Sequence, residues 1–187
     1  GRRLRVDALL RAAPSLPIAV AQTIHAGQTR EEVIQRLKEY AHCRLAVPFA
    51  YLLEEDGTIL EFDWTTGEEP KRAVLSEFPT RDMLLNRWLA SLGLSDAAAR
   101  DALTYPYNPG VMPRYYQEAA INRAVIAVLQ AKRQLRSPRI LLTLATGTGK
   151  TKVAFQLLWK LKRSRAIRNI LFITDRDYLL SQAMDNE

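Results

Sequence analysis

Residues 139–151, Arg139-Ile140-Leu141-Leu142-Thr143-Leu144-Ala145-Thr146-Gly147-Thr148-Gly149-Lys150-Thr151, hold the residue types for binding a nucleotide's phosphates. An apolar run leads into a loop with two glycines, and the loop opens a helical pattern. Gly147 and Gly149 let the backbone turn its N–H groups toward one point, flanked by Thr146 and Thr148. The helix N-terminus adds the positive end of its dipole there. Lys150 brings a flexible cation to the β- and γ-phosphates, and the Thr151 hydroxyl can ligate Mg²⁺. The strict pattern asks for a Gly five residues before Gly149, and Leu144 stands there. A chance Gly-Thr-Gly turn is the alternative; strand-before, helix-after context favours the phosphate loop.

The rest of the composition narrows what surrounds this loop. The chain has 187 residues, 48% hydrophobic and 25% charged. That is a globular balance, with length for one domain or two small ones. The single Cys43 excludes an internal disulfide, and a zinc ribbon would need clustered ligands. His25 and His42 are unclustered and read as surface residues. No apolar stretch is long enough to span a bilayer. Arg2, Arg3 and Arg5 before an Ala/Leu-rich stretch imitate a signal peptide, with Ala19-Val20-Ala21 as a mock cleavage site. Asp7, Arg11, Pro14 and Pro17 interrupt it. There is no initiator Met, and Ser181-Gln182-Ala183-Met184 stops inside a helical pattern, so the chain reads as an internal segment of a longer protein. The net charge of +7 is uneven: residues 1–112 hold 13 Lys/Arg against 15 Asp/Glu, and residues 113–187 hold 14 against 5. The basic part suggests a polyanionic partner. Alternatively, Lys160, Lys162, Arg163, Arg165 and Arg168 form a solvated helix face.

Two short strands are expected over residues 3–10 and 17–23, separated by Pro14-Ser15-Leu16-Pro17. Thr29-Arg30-Glu31-Glu32 has capping-box spacing, and Val33, Ile34, Leu37, Tyr40 and Ala41 recur as one helical stripe. Residues 47–53 and 58–62 flank Asp56-Gly57, a hairpin signal. Residues 1–65 thus spell β-β-α-β-β. Residues 66–79 read as polar linker and 80–104 as two short helices broken near Gly93. A long helix is expected over 115–135, a strand over 139–144, a helix over 149–162, a strand over 169–174 and a helix over 176–184. That alternation predicts a parallel α/β unit.

The stretch Ala145-Thr146-Gly147-Thr148-Gly149-Lys150-Thr151 resembles motif I of superfamily 2 helicases and translocases. Arg114-Tyr115-Tyr116-Gln117 resembles their Q motif, which implies adenine contacts from Arg114, Tyr115 and Gln117. Residues 170–176 resemble motif Ia, which implies DNA contacts at Thr174 and Arg176; an ordinary strand-to-helix turn fits those residues equally. Pro113 to Ala124, Ile140 to Thr151 and Leu171 to Gln182, with Leu4-Arg5-Val6-Asp7, Leu16-Pro17-Ile18-Ala19-Val20, Tyr40-Ala41 and Val47-Pro48-Phe49-Ala50, together resemble the R subunit of type I restriction endonucleases. The resemblance implies an α/β chain: a restriction-endonuclease-like domain over 1–70, a helical linker over 71–112, and the start of a RecA-like P-loop motor over 113–187. It also implies an ATP- and Mg²⁺-dependent translocase on double-stranded DNA, cytoplasmic, working with methyltransferase and specificity subunits. With the acidic ATPase motif and the second motor lobe missing, this segment alone should bind nucleotide weakly and hydrolyse it negligibly.

The resembled nuclease is of the PD-(D/E)xK type, in which an Asp, then a Glu and a Lys two apart on the next strand, hold Mg²⁺ and activate water. Here Asp7 keeps the first position. The Glu and Lys fall on Gln22 and Ile24, and a following Gln-x-x-x-Tyr falls on Arg36 to Tyr40, keeping only the Tyr. Gln22 brings no charge to a metal, and Ile24 cannot pair with a phosphate. The expectation is a nuclease fold with an impaired site, in which Asp7 is either a weak metal ligand or a strand-edge charge. Two other readings remain: an N-terminal DNA- or partner-docking module, and another superfamily 2 defence or repair helicase with a degenerate nuclease appendage.

Overall fold

A computed structural model describes residues 6–110, 112–171 and 173. Strands β1 (Ala8–Ala13), β2 (Leu16–Thr23), β3 (Phe49–Leu53), β4 (Ile59–Asp63) and β5 (Lys71–Leu75) form one sheet in that order. β2 and β3 are parallel, and the other neighbours are antiparallel. The parallel pair is joined by helix α1 (Arg30–Lys38), which runs on as π-helix over Glu39–Leu45. The expected β-β-α-β-β order is therefore present.

Local chemistry explains these elements. The capping box starts α1: the Glu32 amide donates to Thr29 Oγ1 at 3.3 Å, and the Thr29 amide donates to Glu32 Oε2 at 3.1 Å. Gly57 turns the β3–β4 hairpin at φ 85°. Alternation along β3 divides the core: Phe49 and Tyr51 face one apolar cluster, and Ala50 and Leu52 face the other, which holds Val33 and Leu37 of α1. Four further helices follow: α2 (Arg81–Ser91), α3 (Ala97–Thr104), α4 (Tyr115–Arg133) and α5 (Lys150–Arg163). Leu84, Leu89, Leu103, Ile121, Val125, Val153 and Leu161 from these helices join Phe49 and Tyr51 in a single cluster. The sheet is thus covered by α1 on one face, while the helices that carry the phosphate loop share the core on its other face. Arg87 of α2 reaches Glu61 and Asp63 at 2.8 Å each and lies over the Phe49 ring. Glu61 also accepts from the Tyr51 hydroxyl at 2.7 Å, and burial, helped by this bond, pushes that phenol far up.

Several expectations change. The first strand is not residues 3–10 but begins at Ala8, and residues 1–5 lie outside the described set. Only Pro14 and Ser15 form the turn; Pro17 sits inside β2, beyond the ladder to β3 that starts at Ala19, so its missing N–H leaves no gap there. The stretch read as linker contains β5, paired to β4. Residues 139–144 form no strand, because no other strand pairs with them among the described residues. Residues 169–171 and 173 are likewise irregular, and the helix expected over 176–184 lies outside the described residues. The parallel α/β sheet read for the C-terminal part is not formed among the described residues.

Candidate nucleotide-binding loop and nuclease-like sheet

The phosphate loop has the backbone that its glycines predict. Gly147 and Gly149 both take positive φ, 77° and 82°. Gly149 is the N-cap of α5, so the first amides of that helix are free to face a ligand. A turn closes the loop through the Thr148 amide and hydroxyl, which donate to the Ala145 carbonyl at 3.3 and 2.6 Å. Lys150 Nζ folds back onto the Leu144 and Ala145 carbonyls, at 2.8 and 3.1 Å. A phosphate oxygen is a better acceptor for that ammonium than two neutral carbonyls, so the donor set fits a polyphosphate. Thr146 is exposed and Thr151 half-buried at the start of the helix.

The Q-motif-like residues stand against this loop. Gln117, on the first turn of α4, is buried. Its Nε2 donates to the Thr148 carbonyl at 2.7 Å, and its Oε1 accepts from the Arg114 amide at 2.8 Å. Both ends of the amide expected at adenine are thus engaged by protein. Tyr116, rather than the exposed Tyr115, also reaches the loop, with its hydroxyl 3.3 Å from the Thr148 carbonyl. A Cβ on Gly149 would stand 2.6 Å from Gln117 Nε2. The close approach of Gln117 is a second reason for glycine there, and sequence spacing did not reveal it.

Next to Gln117, Glu118 forms a bidentate pair with Arg11 of β1, at 2.7 and 3.0 Å. The largest surprise is Lys160 on α5. The basic-face reading counts it as solvated, yet the structure buries it completely. Its Nζ donates to the Leu103 carbonyl at 2.8 Å, to Asn122 Oδ1 at 3.1 Å and to Ser15 Oγ at 3.3 Å. It also lies 4.9 Å from the centre of the Tyr107 ring. Burial, partly offset by the Glu118 carboxylate, pushes this lysine down to about 7. Lys152, Lys162, Arg163, Arg165 and Arg168 are exposed. Thr174 and Arg176 lie outside the described residues.

Of the nuclease-like positions, Asp7 stands just before β1, Gln22 on β2 and Ile24 just after it. Ala8 pairs with Ala21, which brings Asp7 beside residues 22 and 23. Asp7 Oδ2 accepts from the Thr23 amide and hydroxyl at 2.8 Å each, and Oδ1 lies 3.2 Å from His25 Nε2. Burial raises the Asp7 carboxyl, but the Thr23 donors and the His25 ring outweigh it and hold it below the usual carboxylate value. His25, read as a bystander, is therefore the partner of Asp7. Gln22 is buried with Oε1 unpartnered among the described residues, and so is the hydroxyl of Tyr40. Ile24 packs at the edge of the apolar cluster under α1. No group of three or more His, Cys, Asp or Glu side chains that could hold a metal exists among the described residues. One carboxylate and one neutral amide do not fit a nuclease Mg²⁺.

Comparison with known proteins gives these features a setting. Residues 110–187 match the ResIII family, described as the res subunit of type III restriction enzymes. The chain is 35% identical over 190 residues to the EcoAI type I restriction enzyme endonuclease subunit of Escherichia coli, covering 97% of this chain and 22% of that protein. It is 39% identical over 80 residues to the EcoKI endonuclease subunit of Escherichia coli strain K12, covering 41% of this chain and 6% of that one. A solved fragment assigned to the HsdR subunit of a type I restriction enzyme from Vibrio vulnificus YJ016 is 43% identical, with a TM-score of 0.73 over 88% of this chain and 30% of that one. No helix among the described residues is long and apolar enough to cross a membrane. Matched along almost its whole length, the chain spans only about a fifth of the EcoAI subunit and under a third of the solved fragment; it is homologous to a segment of the endonuclease subunit of type I restriction enzymes, with its residues 110–187 matching the ResIII family.

Proposed function

We propose that this chain supplies the ATP-binding loop and a catalytically impaired nuclease-like sheet of a DNA-translocating type I restriction subunit. The observation that carries the reading is the loop itself: two positive-φ glycines, a lysine at a helix N-terminus, and a glutamine wedged behind them. Bound Mg²⁺ would screen the phosphates and polarise the transferred one. The chain's own part is to present the amides of Gly147 to Thr151, pair Lys150 with the β- and γ-phosphates and offer the Thr151 hydroxyl to the ion. Residues 113–187 would belong to the motor, and the sheet with its flanking elements to the nuclease-like unit. The exposed basic residues of α5 and the segment after it would face double-stranded DNA. Methyltransferase and specificity subunits would be its partners, in the cytoplasm. A docking role for the sheet is favoured by the chemistry at Asp7, where Thr23 and His25 occupy the carboxylate and no cluster of three or more potential metal ligands exists among the described residues.

The test is an NMR titration of the chain with ATP, ADP and adenosine in the presence of Mg²⁺. ATP and ADP should shift the amides of residues 146–151, and adenosine should leave them in place. Adenosine shifting them as far as ATP would contradict phosphate recognition by the loop.

A further inference from the structure

Lys160 sits ten positions after Lys150 on α5, and both belong to the same rigid helix. The shell around its Nζ is made of acceptors. The Leu103 carbonyl and Asn122 Oδ1 can only accept, and Ser15 Oγ spends its own proton on the Tyr105 carbonyl at 2.7 Å. Only an ammonium, with three N–H donors, satisfies all three. Asn122 is fixed in turn, because its Nδ2 donates to the Ser15 carbonyl at 3.1 Å. Ser15, Asn122 and Lys160 are all buried, so no water replaces a lost partner cheaply.

The four groups come from four places: the β1–β2 turn, the end of α3, the middle of α4 and α5. A methionine would fill the same volume without burying an ammonium, at the cost of leaving the Leu103 and Asn122 acceptors unpaired, so packing alone does not explain a lysine. Position does. The same hairpin touches the loop's other support, since Arg11 of β1 holds Glu118, and Gln117 beside it holds the Thr148 carbonyl. The helix that ends in the phosphate cradle and the glutamine that backs it are therefore both referenced to one hairpin of the nuclease-like sheet.

We propose that Lys160 is a positioning residue for nucleotide binding: through Ser15, Leu103 and Asn122 it fixes α5, and with it the phosphate loop, against the β1–β2 turn of the sheet. The proposal rests on the reading of that loop as an ATP site, but its geometry can be tested without nucleotide.

The experiment uses Lys160→Met and, because that variant can fail to fold, Ser15→Ala as well. The Ser15 hydroxyl touches α3 and Lys160 and lies outside the phosphate loop. Amide NMR shifts are read at residues 148–153 and hydrogen exchange at Thr148 and Val153, whose amides are bonded to the Ala145 and Gly149 carbonyls, with the amides of β3 as the gauge of overall stability. Both variants should shift the Gly149 and Lys150 amide resonances and speed exchange at Thr148 and Val153 by about tenfold or more, as expected for loss of a hydrogen bond to a charged group. Exchange in β3 should change less than threefold. A merely stabilising lysine would speed both regions in proportion and leave the loop resonances in place, and that result overturns the proposal, as does an unchanged loop in folded Ser15→Ala. ATP is then titrated into parent and variants. A parent that shows no phosphate-dependent shifts refutes the ATP reading while leaving the exchange result standing. A parent that binds should lose about tenfold in affinity in the variants; equal affinity overturns the positioning role.

Discussion

Gly149→Ala probes the seam between the phosphate loop and α4. Alanine at φ 82° carries left-handed strain of about 1–2 kcal/mol. Its Cβ would also stand 2.6 Å from Gln117 Nε2, so the glutamine must withdraw. Withdrawal gives up the bonds to the Thr148 carbonyl and from the Arg114 amide, each with a net contribution of about 0.5–1.5 kcal/mol. The expected total is roughly 2–5 kcal/mol. Gly147→Ala is the matched control, because it has the same sign of φ, 77°, and nothing within 4 Å of the added Cβ. It should cost only the strain, about 1–2 kcal/mol. Thermal unfolding separates the two, at about 2–4 °C per kcal/mol for a chain of this size. In a Gln117→Ala background the contact is gone, and the two glycine variants should then melt together. Equal melting of Gly147→Ala and Gly149→Ala in the parent background would refute the account of Gln117 as the wedge behind the loop.

Three further outcomes follow from the site geometry. The folded state binds the Lys160 proton less tightly than the unfolded chain, about 7 against 10.5, so this residue makes stability rise with pH across that window, by up to about 1.4 kcal/mol per unit; denaturant titrations of the parent minus Lys160→Met between pH 6 and 10 should show the rise, and a flat difference contradicts it. With ATP and Mg²⁺ present the protein should neither nick nor cut plasmid DNA, because neutral Gln22 and apolar Ile24 stand where the site needs a second carboxylate and a cation, and Thr23 and His25 hold Asp7; robust cutting that disappears in Asp7→Ala would show a working site. Binding to duplex DNA should weaken with salt and lose about 0.9 of its logarithmic slope per phosphate contact removed when Lys152, Arg165 and Arg168 become Gln; a slope that instead responds to neutralising Lys71 and Arg72 on the sheet would assign DNA docking to the nuclease-like unit.

What could be read from sequence was local. Thr29 with Glu32, and Asp56 with Gly57, act over two to four residues, so their chemistry is visible in the chain and the structure keeps it. The glycine-lysine loop is likewise a local device. β5 escaped because its residues Lys71 to Val74 are all exposed, which leaves no alternation to detect. Residues 139–144 show the reverse failure: the apolar pattern is that of a buried strand, but a strand exists only where another one pairs with it. Lys160 was misread because charge at helical spacing usually marks a wet face. Its burial is decided by Ser15, Leu103 and Asn122, which are 145, 57 and 38 positions away. His25 was read only as a surface residue for a related reason, since its partner Asp7 is 18 positions away, just before β1, while His25 follows β2.

The central claim is that the loop from Thr146 to Thr151 binds nucleotide through its phosphates, with Lys150 as the cation inside it. It is tested most directly by comparing Lys150→Ala with the parent in an equilibrium titration with ATP and Mg²⁺. The account predicts that the parent shows saturable binding and that Lys150→Ala loses most of it, at least about tenfold in affinity, with unfolding unchanged, because the replaced ammonium is exposed and bonds only to carbonyls of its own loop. Equal ATP affinity in the two proteins would contradict it.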